Sequence, residues 1–283
     1  MKKVLVVGAD SFIARSFIDI AKGRLDVRGI PGLGEPWKET DFKGYDAVLL
    51  CAGLAHQKQT AQSRTLYDAV NREMAVLIAQ KAKAAGVSQF VFLSSMSVYG
   101  LSRGVVTAGT QPCPKPGDAY GLSKWNAEQE LEALRDQRFT LTVLRPPMVY
   151  GPDCPGNFQR LLKLVRRAPV FPALRNSRSM IFSEDLALLI CALIEKGLGG
   201  VFCPQNKQPV CTANLAWEMG QAAGRPVRLT RLLNPAARLT ARLLPAADKL
   251  WGSLIYAPEL SVIPGIDYQV SGLRESVFKS IGK

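Results

Sequence analysis

Short hydrophobic runs alternate with longer stretches of helical spacing through the first half of the chain. Residues 3–8 (KVLVVG) predict a strand and residues 12–22 a helix. Residues 26–30 predict a weak second strand, and the Gly/Pro-rich loop GIPGLGEPW follows it. DAVLLCA (46–52) reads as a buried strand, 61–85 as a long helix ended by Gly86, and 89–95 (QFVFLSS) as another strand. A helix over 120–135 and a strand over 140–144 complete the series. Such alternation predicts a parallel sheet covered by helices on both faces. After Pro146 the pattern loosens, prolines become frequent, and one apolar helix stands out over 184–195. In an open α/β sheet, ligands sit beyond the carboxyl ends of the strands. The segments after Gly8, Ala52, Ser95 and Leu144 are therefore expected to converge on one site.

Composition narrows the class. Hydrophobic residues are 47% of 283, enough for a sizeable core. No apolar stretch reaches the ~20 residues of a membrane span. The opening MKKVLVVGAD places two lysines before an apolar run that ends at Asp10, which reads as a first strand and not a signal peptide. Six cysteines are scattered without a CxxC pair, so a reducing cytoplasm without disulfides is expected. One histidine, His56, leaves little material for a metal site. The net charge of +13 suits a phosphorylated substrate, nucleic acid or an anionic membrane. No compact basic run interleaved with aromatics points to nucleic acid.

The candidate chemistry starts at the end of QFVFL. There SSMSVYG (94–100) forms a hydroxyl cluster, and 25 residues after Ser95 comes AYGLSK. Its Tyr120 and Lys124 stand at i and i+4, on one face of a helix. An ammonium beside a phenol stabilises phenolate and lowers the tyrosine pKa. Such a tyrosine takes or gives an alcohol proton while hydride leaves or arrives, and a nearby serine orients the same oxygen.

With these motifs in order, the chain resembles the extended short-chain dehydrogenase/reductase family, in its NAD-dependent nucleotide-sugar epimerase/dehydratase branch. LRPPMVYGP (144–152), RSMIFSEDLA (178–187) and Asn71 in LYDAVNREMA extend the resemblance from residue 1 to roughly 205. It implies a Rossmann-type doubly wound parallel sheet with a small C-terminal substrate lobe. Residues 1–152, with 177–202 contributing, would bind NAD(P), and 153–176 with 203–283 would bind substrate. Ser95, Tyr120 and Lys124 resemble the catalytic set, with Lys124 also holding the nicotinamide ribose. Gly8, Ser11, Phe12 and Ile13 would meet the pyrophosphate, and Ala52, Gly53 and Leu54 the adenine-side ribose. Asn71, Ser94 and Pro147 join the cofactor-binding set by position. Ser97, Asn157 and Arg178 match substrate contacts, Arg178 pairing with a diphosphate. His56 reads equally as a substrate contact and as a loop residue. The resemblance further implies a homodimer through the helices at 61–85 and 120–135, and C4 epimerisation of a nucleotide-activated sugar for surface polysaccharide. A 4-keto-sugar reductase carries the same motifs. A non-catalytic NAD(P)-binding regulator and a membrane-surface binder are readings of another class.

Three departures stand out. The family's three loop glycines are here Gly8, Ser11 and Ala14, and Met148 replaces a common asparagine. The region before DAVLLCA is short. At the second strand, Asp26 favours NAD and Arg28 favours NADP, with the balance toward NAD. Finally, residues 228–251 are basic and leucine-rich at helical spacing. A helix packing the substrate lobe is the favoured reading over a membrane-surface helix, because Pro235 and Pro245 divide the segment.

Overall fold

The computed structural model describes residues 1–283 except 33, 56–59, 244–247, 249 and 283. His56, Pro245 and Lys249 thus lie outside the described residues. Six parallel strands form the central sheet: β1 (Lys3–Val7), β2 (Asp26–Ile30), β3 (Ala47–Leu50), β4 (Gln89–Leu93), β6 (Thr140–Leu144) and β10 (Gly200–Phe202). Their order across the sheet is β10-β6-β4-β3-β1-β2. The sheet is doubly wound: the chain runs from β1 outward to β2 and then crosses back past β1 to β3, where the strand order reverses. That switch point opens a crevice between the loops following β1 and β3.

Strand alternation builds both faces. Val4 and Val6 of β1 enter one core with α1 (Phe12–Ala21) and α6 (Ser183–Lys196). Leu5 and Val7 enter the other, which contains Met74, Ile78 and Leu131. The helix expected over 61–85 is three pieces: α2 (Ala61–Asp68), a π-helical segment (Ala69–Glu73) and α3 (Met74–Ala84). The wider π turn carries Asn71, and such turns recur where a side chain is re-aimed at a working site. α4 (Ala119–Glu132) packs against α2 and the π segment.

A third core gathers Tyr150, Phe158, Phe171, Met219 and Val277. It is enclosed by α5 (Asn157–Val165), α7 (Thr212–Ala222) and a final helix, α9 (Leu273–Ile281). Three short parallel pairs lie in this half and at its border. β5 (Gly104–Val106) pairs with β12 (Leu254–Tyr256), β7 (Met148–Tyr150) with β9 (Met180–Phe182), and β8 (Val170–Pro172) with β11 (Arg228–Thr230). Three-residue strands are too short for a period-2 pattern to show in sequence. Pro235 divides its segment, standing where β11 gives way to a helix. It occupies the second position of α8 (Asn234–Leu243), where a missing amide proton costs nothing.

Candidate active site

The loop after β1 explains its own composition. Gly8 has φ +91, and a Cβ there would drive into the backbone of Cys51 and Ala52. Only glycine fits that approach. Ser11 has an ordinary φ of −72 and is the N-cap of α1, its hydroxyl accepting from the Ala14 amide at 3.2 Å. Ala14 is fully buried against the sheet. Serine and alanine therefore meet the local requirements at the second and third glycine positions. The first-turn amides of Phe12 and Ile13 remain at the positive end of the helix, suited to an anion. The Phe12 ring itself packs on the third core.

Beyond β3, Asn71 holds the next turn. Its Oδ1 accepts from the Leu54 amide at 2.8 Å, and its Nδ2 donates to the Leu54 carbonyl at 3.1 Å and to Ser123 Oγ at 3.2 Å. Both backbone polar groups of Leu54 are thus engaged within the chain. Asn71 thereby positions the turn that carries Leu54. Gly53 is the open element. A Cβ there would lie 3.4 Å from Lys124 Nζ, so the missing side chain leaves a cradle beside the ammonium.

α4 delivers the reactive pair. Asp118 caps it by accepting from the Gly121 amide at 3.0 Å. Gly121 permits close approach to the 96–99 turn, since a Cβ would stand 2.8 Å from the Ser97 carbonyl. Tyr120 is half-buried, 5.8 Å from the Tyr67 ring. Ser95 ends β4 and N-caps the helical turn Met96–Tyr99, accepting from the Ser97 amide at 3.1 Å and donating to Ser97 Oγ at 3.2 Å. Its hydroxyl also hydrogen-bonds Tyr120, favouring phenolate, but burial outweighs this and pushes the Tyr120 pKa up. Lys124 is buried, its ammonium 4.6 Å from the centre of the Phe92 ring. Burial pulls its pKa down to about 8, while Cys51 and Glu128 oppose the fall. The expected direction is thereby reversed: desolvation, not the neighbouring ammonium, dominates Tyr120.

One turn further along α4 lies a network that sequence reading missed. Arg145 Nη2 reaches Glu128 Oε2 at 2.5 Å, its Nε contacts both Glu128 oxygens at 3.1 Å, and its Nη1 donates to Tyr99 OH at 2.8 Å. Ser94 donates to Glu128 Oε1. The Ser94 hydroxyl is therefore a structural tie between the end of β4 and α4. The i, i+4, i+8 series Tyr120, Lys124, Glu128 was the available signal, since a third polar residue on one face implies a buried partner.

Other expected residues are placed as follows. Asp26 opens β2, roughly 13 Å short of the strand's carboxyl end. It lies on the wrong edge of the sheet to read a ribose there, and the preference for NAD drawn from it falls. Arg28 stands mid-strand with Nη1 3.5 Å from Tyr45 OH. At the strand's end the sequence had not marked Asp10, whose Oδ1 accepts from the Gly32 amide at 2.9 Å. Pro147 is buried just after β6, beside Pro146, whose carbonyl accepts from the Met96 amide. Ser97 is half-buried next to Ser95. Asn157 is exposed at the start of α5, whereas Arg178 lies before β9 with Nη1 donating to the Gly252 carbonyl at 3.0 Å. Burial lowers the Arg178 pKa and Asp248 opposes the fall.

Four elements thus converge at the carboxyl edge of the sheet. The glycine cradle, the α1 amides and the buried Lys124 fit the diphosphate and ribose of a dinucleotide. Comparison with known proteins agrees with this geometry. Residues 37–202 match the model of the NAD dependent epimerase/dehydratase family. A UDP-glucose 4-epimerase of Vibrio cholerae is 34% identical over 209 residues, covering 69% of this chain and 63% of that protein. The chain thus spans less than two thirds of that relative's length. The N-acetyl-alpha-D-glucosaminyl-diphospho-ditrans,octacis-undecaprenol 4-epimerase of Escherichia coli O157:H7 is 23% identical over 271 residues, covering 88% and 81%. In fold, the chain resembles the UDP-glucuronic acid 4-epimerase from Bacillus cereus in complex with NAD, with a TM-score of 0.76 at 17% identity over 99% and 97% of the two chains. By its matching core and the Vibrio relative, the chain belongs to the NAD dependent epimerase/dehydratase family.

Proposed function

We propose that the protein is an NAD-dependent epimerase acting at C4 of a nucleotide-activated sugar, in the cytoplasm and toward surface polysaccharide. The observation that carries this reading is the meeting of Ser95, Tyr120 and Lys124 at the carboxyl edge of the sheet, beside the Gly53 cradle. The names of the similar proteins support the substrate class and the cofactor. In this reading residues 1–152 and 177–202 hold the dinucleotide, and 153–176 and 203–283 hold the sugar. Gly8 and the α1 amides receive the pyrophosphate, and Lys124 the nicotinamide ribose. The dinucleotide supplies a reversible hydride acceptor at the sugar carbon.

With a dinucleotide bound to accept the C4 hydride, Tyr120 Oη as phenolate would take the proton of the C4 hydroxyl, and would return it when hydride came back to the other face of the 4-keto sugar. Ser95 holds the same oxygen by hydrogen bond. Lys124, packed on the buried Phe92 ring, balances the phenolate charge. Arg178 pairs with the substrate diphosphate, and Asn157 and Ser97 contact the rest of the substrate. A homodimer through α2–α3 and α4 is part of the reading, supported by exposed Leu66, Leu77 and Leu122 on those helices.

The test is to release bound nucleotide from purified protein, identify it by mass, and assay interconversion of UDP-glucose and UDP-galactose. Tightly held NAD with interconversion is expected. An empty site that takes up NADPH and reduces a 4-keto sugar without interconversion overturns the reading in favour of a reductase.

A further inference from the structure

The second lobe carries its charge unevenly. Its residues, 153–176 and 203–283, hold fifteen lysines and arginines against six acids, in a chain of net charge +13. This lobe also turns leucines outward. In α8 the buried residues are Ala237 and Ala241, one turn apart. Across the helix from them, Leu239 and Leu243 are 57% and 68% exposed, and Leu232 in the preceding turn is 89% exposed. Arg238 and Arg242 each precede one of these helical leucines, so an arginine row runs beside the leucine row. A helix packed on its own protein places leucines inward. Here alanines do the packing and the large apolar side chains meet solvent. Exposed Arg228 and Leu229 of β11 and exposed Val170 of β8 continue the surface.

We propose that α8, with the residues leading into it from β11, is an interfacial helix that docks the protein on an anionic bilayer. Charge complementarity selects this occupant. Lipid phosphates neutralise the arginine row, and the acyl boundary takes the leucines. A second copy of the chain would instead bring two arginine rows together. Of the acids in this lobe, Glu218 has a carboxylate oxygen buried and Asp248 pairs with Arg103. Among the described residues no helix is long and apolar enough to cross a membrane, so the contact lies along the surface.

The docking helix is wired to the candidate diphosphate site. Asn234 Nδ2 donates to the Ala173 carbonyl at 3.3 Å. Asn176 Nδ2 donates to the carbonyls of Leu250 and Gly252 at 3.1 Å, and Arg178 donates to Gly252. This surface goes beyond the redox reading and does not depend on it.

The test co-sediments the full chain with vesicles of phosphatidylcholine alone and of phosphatidylcholine mixed with phosphatidylglycerol. Pelleting with the anionic vesicles alone is expected, weakened by salt. Leu239→Gln/Leu243→Gln should reduce the partition about tenfold, and Arg238→Gln/Arg242→Gln about fivefold per arginine at low salt. Absence of pelleting by the wild type overturns the proposal, as does equal pelleting by the leucine variant. A lower solution mass for the leucine variant than for the wild type also overturns it, because the face is then a chain–chain interface. Turnover of a soluble UDP-sugar, measured alongside, separates the two readings. In the wild type, absent vesicle binding with intact turnover sinks docking alone, and vesicle binding without turnover sinks the proposed chemistry alone.

Discussion

α4 buries Ser123, Lys124 and Glu128, whereas α8 buries two alanines and leaves Leu239 and Leu243 in solvent. Each helix runs against the usual inward turn of apolar side chains, in opposite senses. Buried polar groups cost free energy unless they are paired, and α4 pairs them. Ser123 bonds Asn71 and its own helix, Glu128 bonds Arg145 and Ser94, and Lys124 lies on the Phe92 face. Polarity turned inward marks a place where chemistry needs a dry, ordered setting. Apolarity turned outward marks a surface whose partner is not part of the fold.

The largest effect expected from α4 is on turnover. Tyr120→Phe keeps the ring against Tyr67 but removes the proton carrier, so kcat should fall by about 10²–10⁴-fold. Nucleotide binding, followed by fluorescence titration, should stay nearly unchanged. Normal turnover in the variant would remove the site assignment. Next in size is the ion pair. Glu128→Gln leaves the Arg145 guanidinium buried without its carboxylate, and loss of one member of such a pair costs about 3–5 kcal/mol. Urea unfolding measures it, and Glu128→Gln/Arg145→Met should be less unstable than Glu128→Gln alone. A loss below about 1 kcal/mol would mean that the network is not what permits α4 to turn polar residues inward.

Much of this was legible in sequence, and the failures have physical causes. The parallel sheet showed in the runs of β1, β3, β4 and β6, because doubly covered strands are apolar throughout. Ser95, Tyr120 and Lys124 were found as a spaced motif. Asp26 misled although the limits of β2 were read correctly, because the first residue of a strand lies at the amino edge of the sheet, away from the ligand crevice. Asn71 was found, but its π turn was not, since one residue added to a helical turn leaves no compositional trace. The direction of the α8 leucines was invisible for a different reason. A hydrophobic stripe states which residues are apolar, and alanines on the other side of the helix are apolar too.

The pH dependence of stability sharpens the α4 side of the comparison. Lys124 titrates at about 8 in the folded chain, below its ordinary value of 10.5. Below pH 8 it is protonated in both states, and burial of the charge destabilises the fold fully. Between about pH 8 and 10.5 the unfolded chain keeps a proton that the folded chain has released, so stability rises with pH. The rise attributable to this residue is on the order of 3 kcal/mol. Urea unfolding at several pH values should show it in the wild type and not in Lys124→Met. Identical profiles would place the Lys124 ammonium in contact with water.

The smallest effect expected is also the one on which the comparison turns. Leu239→Gln/Leu243→Gln replaces two large apolar side chains, a change that in a core costs several kcal/mol. On α8 it should alter unfolding free energy by no more than about 0.5 kcal/mol, because the side chains touch solvent in both states. Ala237→Leu on the same helix should be destabilising, because Ala237 is buried and overpacking costs about 1–3 kcal/mol. A marked loss of stability from the leucine pair would mean that those side chains pack on the protein itself. α8 would then be an ordinary lobe helix, and the contrast with α4 would reduce to the polar residues that α4 buries.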